Sequence, residues 1–333
     1  MTAPGAAGGL APARGDRPLV AIVTPVYNGA RFLAETMASV QAQTYAPLVH
    51  VLMDNASTDA TPEIIRRFAG GRVPVIVARQ PTTLPMVDNW NAALRLAPPE
   101  AAWFRLLCAD DLIVPHAIEA MVGLGLACPQ AGVVGCYWPA DGLCGSDLPR
   151  DRAFYAGSEI VRRYLLRDTM VLSGMFGLIR CDLARALDPF YDGALISFDS
   201  DATLKVLMHA DYALVHEELA TWRRHEDSTT DQLDCADLVF KSEWLVLLDR
   251  YGPSVMAPDE YRRARLAFRH HVLRKLLQLL VSRHRHLFWR LLAELEARGD
   301  PASVAKFAAA LWDWLKLAAA GRRDTVGRLR PGH

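Results

Sequence analysis

Trp103-Phe104-Arg105-Leu106-Leu107-Cys108-Ala109-Asp110-Asp111-Leu112 is the stretch on which the reading of this chain turns. A largely apolar run, of the length of a buried strand, ends in two adjacent carboxylates. Neighbouring residues on an extended backbone point to opposite sides, so both acids can face one cleft only where the chain turns. Clustered oxygen ligands of this hardness suit Mg²⁺ or Mn²⁺, and such ions in turn hold phosphates. The same pair also suits a solvated turn that caps the next helix, announced by Pro115 and His116-Ala117-Ile118-Glu119-Ala120-Met121.

Upstream, residues 19–24 (Leu-Val-Ala-Ile-Val-Thr) form a β-rich run without polar alternation, as in a strand covered on both faces. Pro25-Val26-Tyr27-Asn28-Gly29 breaks it, and Asn28 or Gly29 is placed to start a helix through Phe32, Leu33, Met37 and Val40. Residues 49–53 read as a second strand followed by the polar loop 54–59; Thr61 then serves as an N-cap, with Pro62 at the first helical position. Strands at 73–78, 102–108 and 132–137 alternate with helices at 86–96 and from Pro115 to about residue 126. This alternation predicts an α/β domain with a mainly parallel sheet, whose ligands bind beyond the carboxyl ends of the strands. Three polar clusters, at 25–28, 54–59 and 109–111, fall at such ends.

The chain has 333 residues, half of them apolar, with 37 basic and 37 acidic side chains. Nothing in that balance argues for nucleic acid as a partner. Cys108, Cys128, Cys136, Cys144, Cys181 and Cys235 are scattered, without a Cys-x-x-Cys pair, which fits reduced thiols in the cytoplasm. No apolar run is long enough to span a bilayer. Residues 1–17 lack a basic start followed by an apolar core and read as a disordered leader.

Val-Thr-Pro-Val-Tyr-Asn-Gly (23–29), Met-Asp-Asn-Ala-Ser-Thr-Asp (53–59), Asn-Trp-Asn (89–91), Ala-Asp-Asp (109–111), Ser-Asp (200–201) and Trp-Arg-Arg-His (222–225) follow one another in an order and spacing that resembles family-2 glycosyltransferases. The resemblance covers about residues 18–231 and implies a GT-A fold (Rossmann-like, with a mainly parallel central sheet), with residues 232–333 a helical C-terminal extension. It implies inverting transfer of a sugar from a nucleotide-diphosphate sugar to a hydroxyl acceptor: a glycan, a lipid-linked molecule or a small molecule, in cell-surface polysaccharide, lipopolysaccharide or related glycan synthesis.

Carried over by position, Pro25, Tyr27, Asn28, Asp54, Asn55, Asn91 and Asp110 would bind the nucleotide sugar. Family members often have an acid where this chain has Asn55, whose amide offers both donor and acceptor. Asp111, with His225 as a further ligand, would hold Mn²⁺ or Mg²⁺ against the diphosphate. Asp201 matches the catalytic base that takes the acceptor proton. Asp199, two residues away, is its rival and would share its face on a strand; Asp201 also suits a helix N-cap, and His225 a surface position. Arg223 and Arg224 are placed to meet the diphosphate or solvent, Asp88 to cap the helix that carries Trp90, and Trp90 to join the core.

Residues 261–298 read as one or two long helices in which leucines at helical spacing are crowded by arginines. Such a stretch packs on the catalytic domain, pairs with a second copy, or lies on an anionic inner membrane face. Residues 302–319 form a further helix, in which Asp313 and Lys316 exclude a membrane span, and 321–333 a basic tail. Two other activities remain open. A nucleotidyltransferase would need a Gly/Lys/Arg-rich phosphate loop after the first strand, which residues 24–29 lack. A non-catalytic sugar-nucleotide or glycan-binding module would have no use for both Asp111 and Asp201.

Overall fold

Uninterrupted apolar runs fold as strands with both faces covered, and β1 (Val20–Val26) and β2 (Leu48–Asp54) are buried at every position. The computed structural model describes residues 17–137, 148–167, 169, 176–223, 225–226, 236–281, 285–297 and 299–319. Most of the expected leader, Arg224 and the basic tail lie outside the described residues.

β3 (Val75–Arg79), β4 (Trp103–Leu106), β6 (Ala131–Tyr137), β7 (Phe154–Tyr155), β8 (Leu178–Arg180) and β9 (Asp211–Glu218) complete an eight-stranded sheet in the order β3-β2-β1-β4-β8-β6-β9-β7. β1 runs parallel to β2 and β4, β2 to β3, and β6 to β9; β8 is antiparallel to β4 and β6, and β7 to β9. The sheet is therefore mainly parallel, as expected. Successive strands leave β1 in opposite directions, β2 on one side and β4 on the other, which opens a crevice at their carboxyl ends. A second, two-stranded antiparallel sheet pairs β5 (Leu112–Ile113) with β10 (Ala220–Thr221) at that crevice.

Alternate residues of β1 feed opposite faces: Ala21 and Val23 enter one apolar cluster, Val20 and Ile22 another. Burying each valine or isoleucine contributes about 1.5–3 kcal/mol. α4 (Ala117–Ala127) covers the second face through Ile118, Met121 and Val122. α3 (Met86–Arg95), α5 (Gly157–Leu165), α6 (Cys181–Ala186) and α7 (Phe198–Leu207) cover the first. α1 (Leu33–Gln41) and α2 (Thr61–Arg67) share a smaller cluster over Val26 and Leu52. Trp90 is core, as expected, with edge-to-face contacts to Tyr191 and Phe198 at 5.5 and 5.0 Å.

The C-terminal third forms α8 (Ala236–Val255), α9 (Pro258–Val281), α10 (Arg285–Ala297) and α11 (Val304–Ala319). Leu247, Leu248, Phe268, Leu273, Leu276, Leu291 and Leu295 are buried in the same cluster as Ile160 and Tyr164 of α5. The leucine stripe thus packs on the catalytic part, and several of the crowded arginines meet acids: Arg265 lies 2.7 Å from Asp249, and Arg262 pairs with Asp259.

Three local expectations need correction. α1 starts at Leu33, because Asn28 takes a left-handed φ of 49° and the chain makes a further turn before the helix. Thr61 is already helical and Ala60 is the N-cap; the Thr61 hydroxyl instead accepts the Gly29 N–H at 2.9 Å. Pro85, not Asp88, precedes α3 as its N-cap.

Gly157 opens α5 where a Cβ would lie 2.0 Å from the Ala210 carbonyl oxygen and 2.2 Å from that of Leu207. Backbone atoms cannot step aside as a side chain can. Gly157→Ala is expected to destabilise the fold by about 2–3 kcal/mol, read as a lower urea midpoint at unchanged slope.

Candidate active site

β4 runs out at Leu106, and the chain then folds back through a turn in which the Asp111 N–H donates to the Cys108 carbonyl at 3.2 Å. The Thr36 hydroxyl of α1 holds that turn by donating to the Ala109 carbonyl at 2.9 Å. Antiparallel pairing of β5 with β10 brings the residues before β5 beside those after β10. The Arg223 N–H consequently donates to Asp111 Oδ1 at 3.0 Å, and His225 Nε2 lies 3.0 Å from Asp110 Oδ2. Cys108, Asp110 and Asp111 present ligand atoms within 4.8 Å of one another. The structure thus brings His225 to Asp110 and Asp111, more than a hundred residues before it in sequence, and adds Cys108.

Asp111 is 3 % exposed. Burial, and after it the charge of Asp110, push its carboxyl up to about 7, against the Arg223 N–H and the Arg105 guanidinium. Arg105 is itself fully buried in β4 and donates to the Phe176 carbonyl at 2.5 Å. It places a cation behind the acidic pair within a strand that reads as apolar. Burial, and then the carboxylates of Asp111, Asp110 and Asp199, push the Cys108 thiol well above its ordinary pKa. A protonated thiol is a poor ligand for a hard cation. Two carboxylates and an imidazole fit Mn²⁺ or Mg²⁺, and His225 Nδ1 is buried with no hydrogen-bond partner among the described residues. The His225 ring packs 4.6 Å from Phe32, and Arg223 reaches Glu35 at 2.5 Å rather than standing free.

The other polar loops flank this cluster at the carboxyl ends of β1 and β2. Pro25 is buried, and Tyr27 is 53 % exposed at the rim. Asn28 is a strut: its N–H donates to Ser57 Oγ at 2.9 Å, and its side chain accepts the Thr58 N–H at 2.8 Å. Asp54 is buried, with one oxygen accepting the Ser57 N–H and the other 2.7 Å from Arg79, a partner the sequence did not announce. Asn55 donates to the Leu84 carbonyl and accepts the Leu84 N–H, both at 2.9 Å. Asn91 does the same to Tyr191, both at 2.9 Å. Each amide clamps one residue's peptide groups, so both side chains shape the site through the backbone that they hold.

Asp199 and Asp201 lie in the first turn of α7, whose N-cap is Ser197 rather than Asp201. On a helix, residues two apart point to nearly opposite sides, not to one face. Asp201 turns inward and is fully buried; its Oδ1 accepts from Arg250 at 2.6 Å and from the Tyr251 hydroxyl at 2.7 Å. Lys205 Nζ sits 2.7 Å from Oδ2, off the angle of a hydrogen bond. Asp199 is partly exposed, and its charge acts on Cys108. Its carboxyl is pushed up, chiefly by burial. Glu243 of α8 fixes the entry to the helix by accepting the Ile196 and Ser197 N–H groups at 2.7 and 2.8 Å and the Ser197 hydroxyl at 2.7 Å.

The raised carboxyl of Asp111 sets a pH dependence. Its folded value of about 7 lies above the ordinary 3.8, so the unfolded chain releases this proton first. The stability it contributes is complete below about pH 4 and is lost as the pH climbs to about 7. Asp111→Asn keeps an acceptor for Arg223. It is expected to flatten that slope and to raise ligand-free stability at about pH 8 by on the order of 1–2 kcal/mol, read from thermal midpoints across the range.

Residues 21–188 match the model of Glycosyl transferase family 2. Over 132 residues the chain is 33% identical to the O-antigen biosynthesis protein RfbC of Myxococcus xanthus, covering 38% of this chain and 10% of that protein. The chain spans less than half the length of several of the curated relatives it matches. In fold it is similar to Staphylococcus aureus TarS 1–349, solved in complex with UDP-GlcNAc, with a TM-score of 0.65 at 15% identity over 92% of each chain. It is also similar to the mannosyltransferase PcManGT of Pyrobaculum calidifontis, solved with GDP-Man and Mn²⁺, with a TM-score of 0.54 at 19% identity over 93% of this chain and 83% of that one. The architecture is that of the GT-A fold. With half of its length inside the family model and its paired aspartates at the carboxyl end of β4, the chain belongs to glycosyl transferase family 2.

Proposed function

We propose that this protein transfers a sugar, with inversion, from a nucleotide-diphosphate sugar to a hydroxyl acceptor in the synthesis of a cell-surface polysaccharide, lipopolysaccharide or related glycan. One observation carries the reading: Asp110, Asp111 and His225 meet beyond the β1–β4 crevice, beside Cys108, whose thiol also feels the charge of Asp199. The likeness to an O-antigen protein and to folds solved with UDP-GlcNAc and GDP-Man supports the substrate class.

In this reading Pro25, Tyr27, Asp54, Asn55 and the loops they hold receive the nucleoside, and Asp110 faces the ribose or the sugar. Asn28 and Asn91 shape that pocket from behind through Thr58 and Tyr191. Asp111 and His225, with Asp110 beside them, hold Mn²⁺ or Mg²⁺. When bound, the cation supplies Lewis-acid stabilisation of the departing diphosphate. Asp199, not Asp201, takes the acceptor proton. A base must reach its substrate, and Asp201 is fully buried with its carboxylate engaged by Arg250, Tyr251 and Lys205. The burial that pushes the Asp199 carboxyl up also makes it a stronger base. As the acceptor oxygen attacks the anomeric carbon opposite the leaving group, its proton passes to Asp199 and configuration inverts.

Two substitutions separate the aspartates. Asp199→Asn is expected to keep calorimetric donor binding while nucleotide release from a sugar nucleotide falls about 10²–10⁴-fold. Asp201→Asn leaves Arg250 and Lys205 without their buried partner and is expected to cost about 3 kcal/mol of stability, with turnover surviving in the folded fraction. Wild-type turnover by Asp199→Asn would remove the base assignment.

A further inference from the structure

Helix α11 presents a broad apolar face to solvent. Its inward side carries Lys306, Phe307, Ala310 and Asp313. Asp313 reaches back to α9, with one oxygen 3.2 Å from His270 Nδ1 and 3.8 Å from Arg274. Lys306 folds onto Asp300 at 2.6 Å. The outward side is apolar: among the described residues, every exposed position of the helix except Lys316 is Val, Ala, Leu or Trp. Val304 is 86% exposed, Trp312 62%, and Leu311, Trp314 and Leu315 each close to half. Asp313 is itself partly exposed, but it is tied to α9, and the large apolar side chains that α11 shows to water suit a partner outside the chain.

Spacing and charge identify that partner. At about 100° per residue, the large side chains sweep from Trp314 through Leu311, Val304 and Leu315 to Trp312. Aliphatic groups thus lie between two indoles, whose N–H groups suit the wet side of a headgroup boundary. Lys316 stands over the Trp312 ring at 5.5 Å. The sequence beyond the helix carries Arg322, Arg323, Arg328 and Arg330 against Asp324. No helix of the described residues is long and apolar enough to cross a membrane, so the face would lie on a bilayer. Anionic headgroups would neutralise Lys316 at the edge of this face, and the net basic charge of the sequence that follows it favours the same kind of surface.

We infer that the outer face of α11 docks the protein onto an anionic lipid surface, with Trp312, Trp314, Leu311 and Leu315 entering the headgroup boundary. The test is co-flotation of the full chain with phosphatidylcholine vesicles with and without phosphatidylglycerol, together with light scattering of the free protein. Wild type is expected to float with the anionic vesicles and to be released by salt. The doubly substituted Trp312→Ser, Leu315→Ser chain, altered only at exposed positions, is expected to bind at least about tenfold more weakly with an unchanged melting temperature. Three results would overturn the inference: no flotation of wild type, equal flotation of the variant, or a stable oligomer that the double substitution dissociates, which would give the face to a second copy.

Discussion

Everything at this site depends on holding negative charges together where they repel. Asp110 and Asp111 are consecutive, and Asp111 is almost wholly removed from water. Proteins tolerate this only with compensation, and here it comes from three directions. The backbone of the strand pair β5–β10 supplies the Arg223 N–H, His225 meets Asp110, and Arg105 lies behind in the sheet. What remains uncompensated shows in the raised carboxyl of Asp111, and a divalent cation would relieve it. The sheet fixes where this happens. β2 and then β3 lie on one side of β1 and β4 on the other, and the crevice between receives the acids that follow β4 and the loops that follow β1 and β2.

The C-terminal helices belong to the same mechanics. α8 sends Glu243 to the turn that opens α7, and Arg250 and Tyr251 to Asp201 one turn further on. These contacts fix the rotation of α7 about its axis, with Asp201 buried and Asp199 partly exposed. Breaking such a buried carboxylate network by removing one member costs more than its net contribution suggests, because the other charges stay buried. The extension therefore supports the site from behind, while its last helix turns an apolar face away from it.

Much of this was legible in the residues, and the failures have physical causes. The runs of β1 and β2 carry no polar alternation, and they are buried on both faces. Asp110 and Asp111 alone suit a capping turn as well as a metal site, and it is their company, with two further polar clusters at strand ends, that marks them. Position in the family motif favours Asp201 as the base, and on a strand period two would leave Asp199 on the same face as its rival; the helix starts at Phe198, and a period of 3.6 sends the two apart. No local pattern tells an asparagine that meets a ligand from one that clamps a peptide group, as Asn55 does to Leu84 and Asn91 to Tyr191. Arg79 on Asp54, Phe32 under His225 and Glu243 at Ser197 join residues distant in sequence, so only the fold could reveal them. Cys108, two residues before the acid pair, had a signal in its position, but it was read as one of six scattered thiols.

The central claim is that the acids beyond β4 grip a nucleotide diphosphate through a divalent cation. Its most direct test is calorimetric titration of the wild-type protein with UDP-, GDP- and dTDP-sugars, with Mn²⁺ and with the metal stripped by chelation. The account predicts saturable binding of at least one donor with Mn²⁺ and its loss without the ion. Equal binding in both conditions, or no binding of any donor when Mn²⁺ is present, would contradict it.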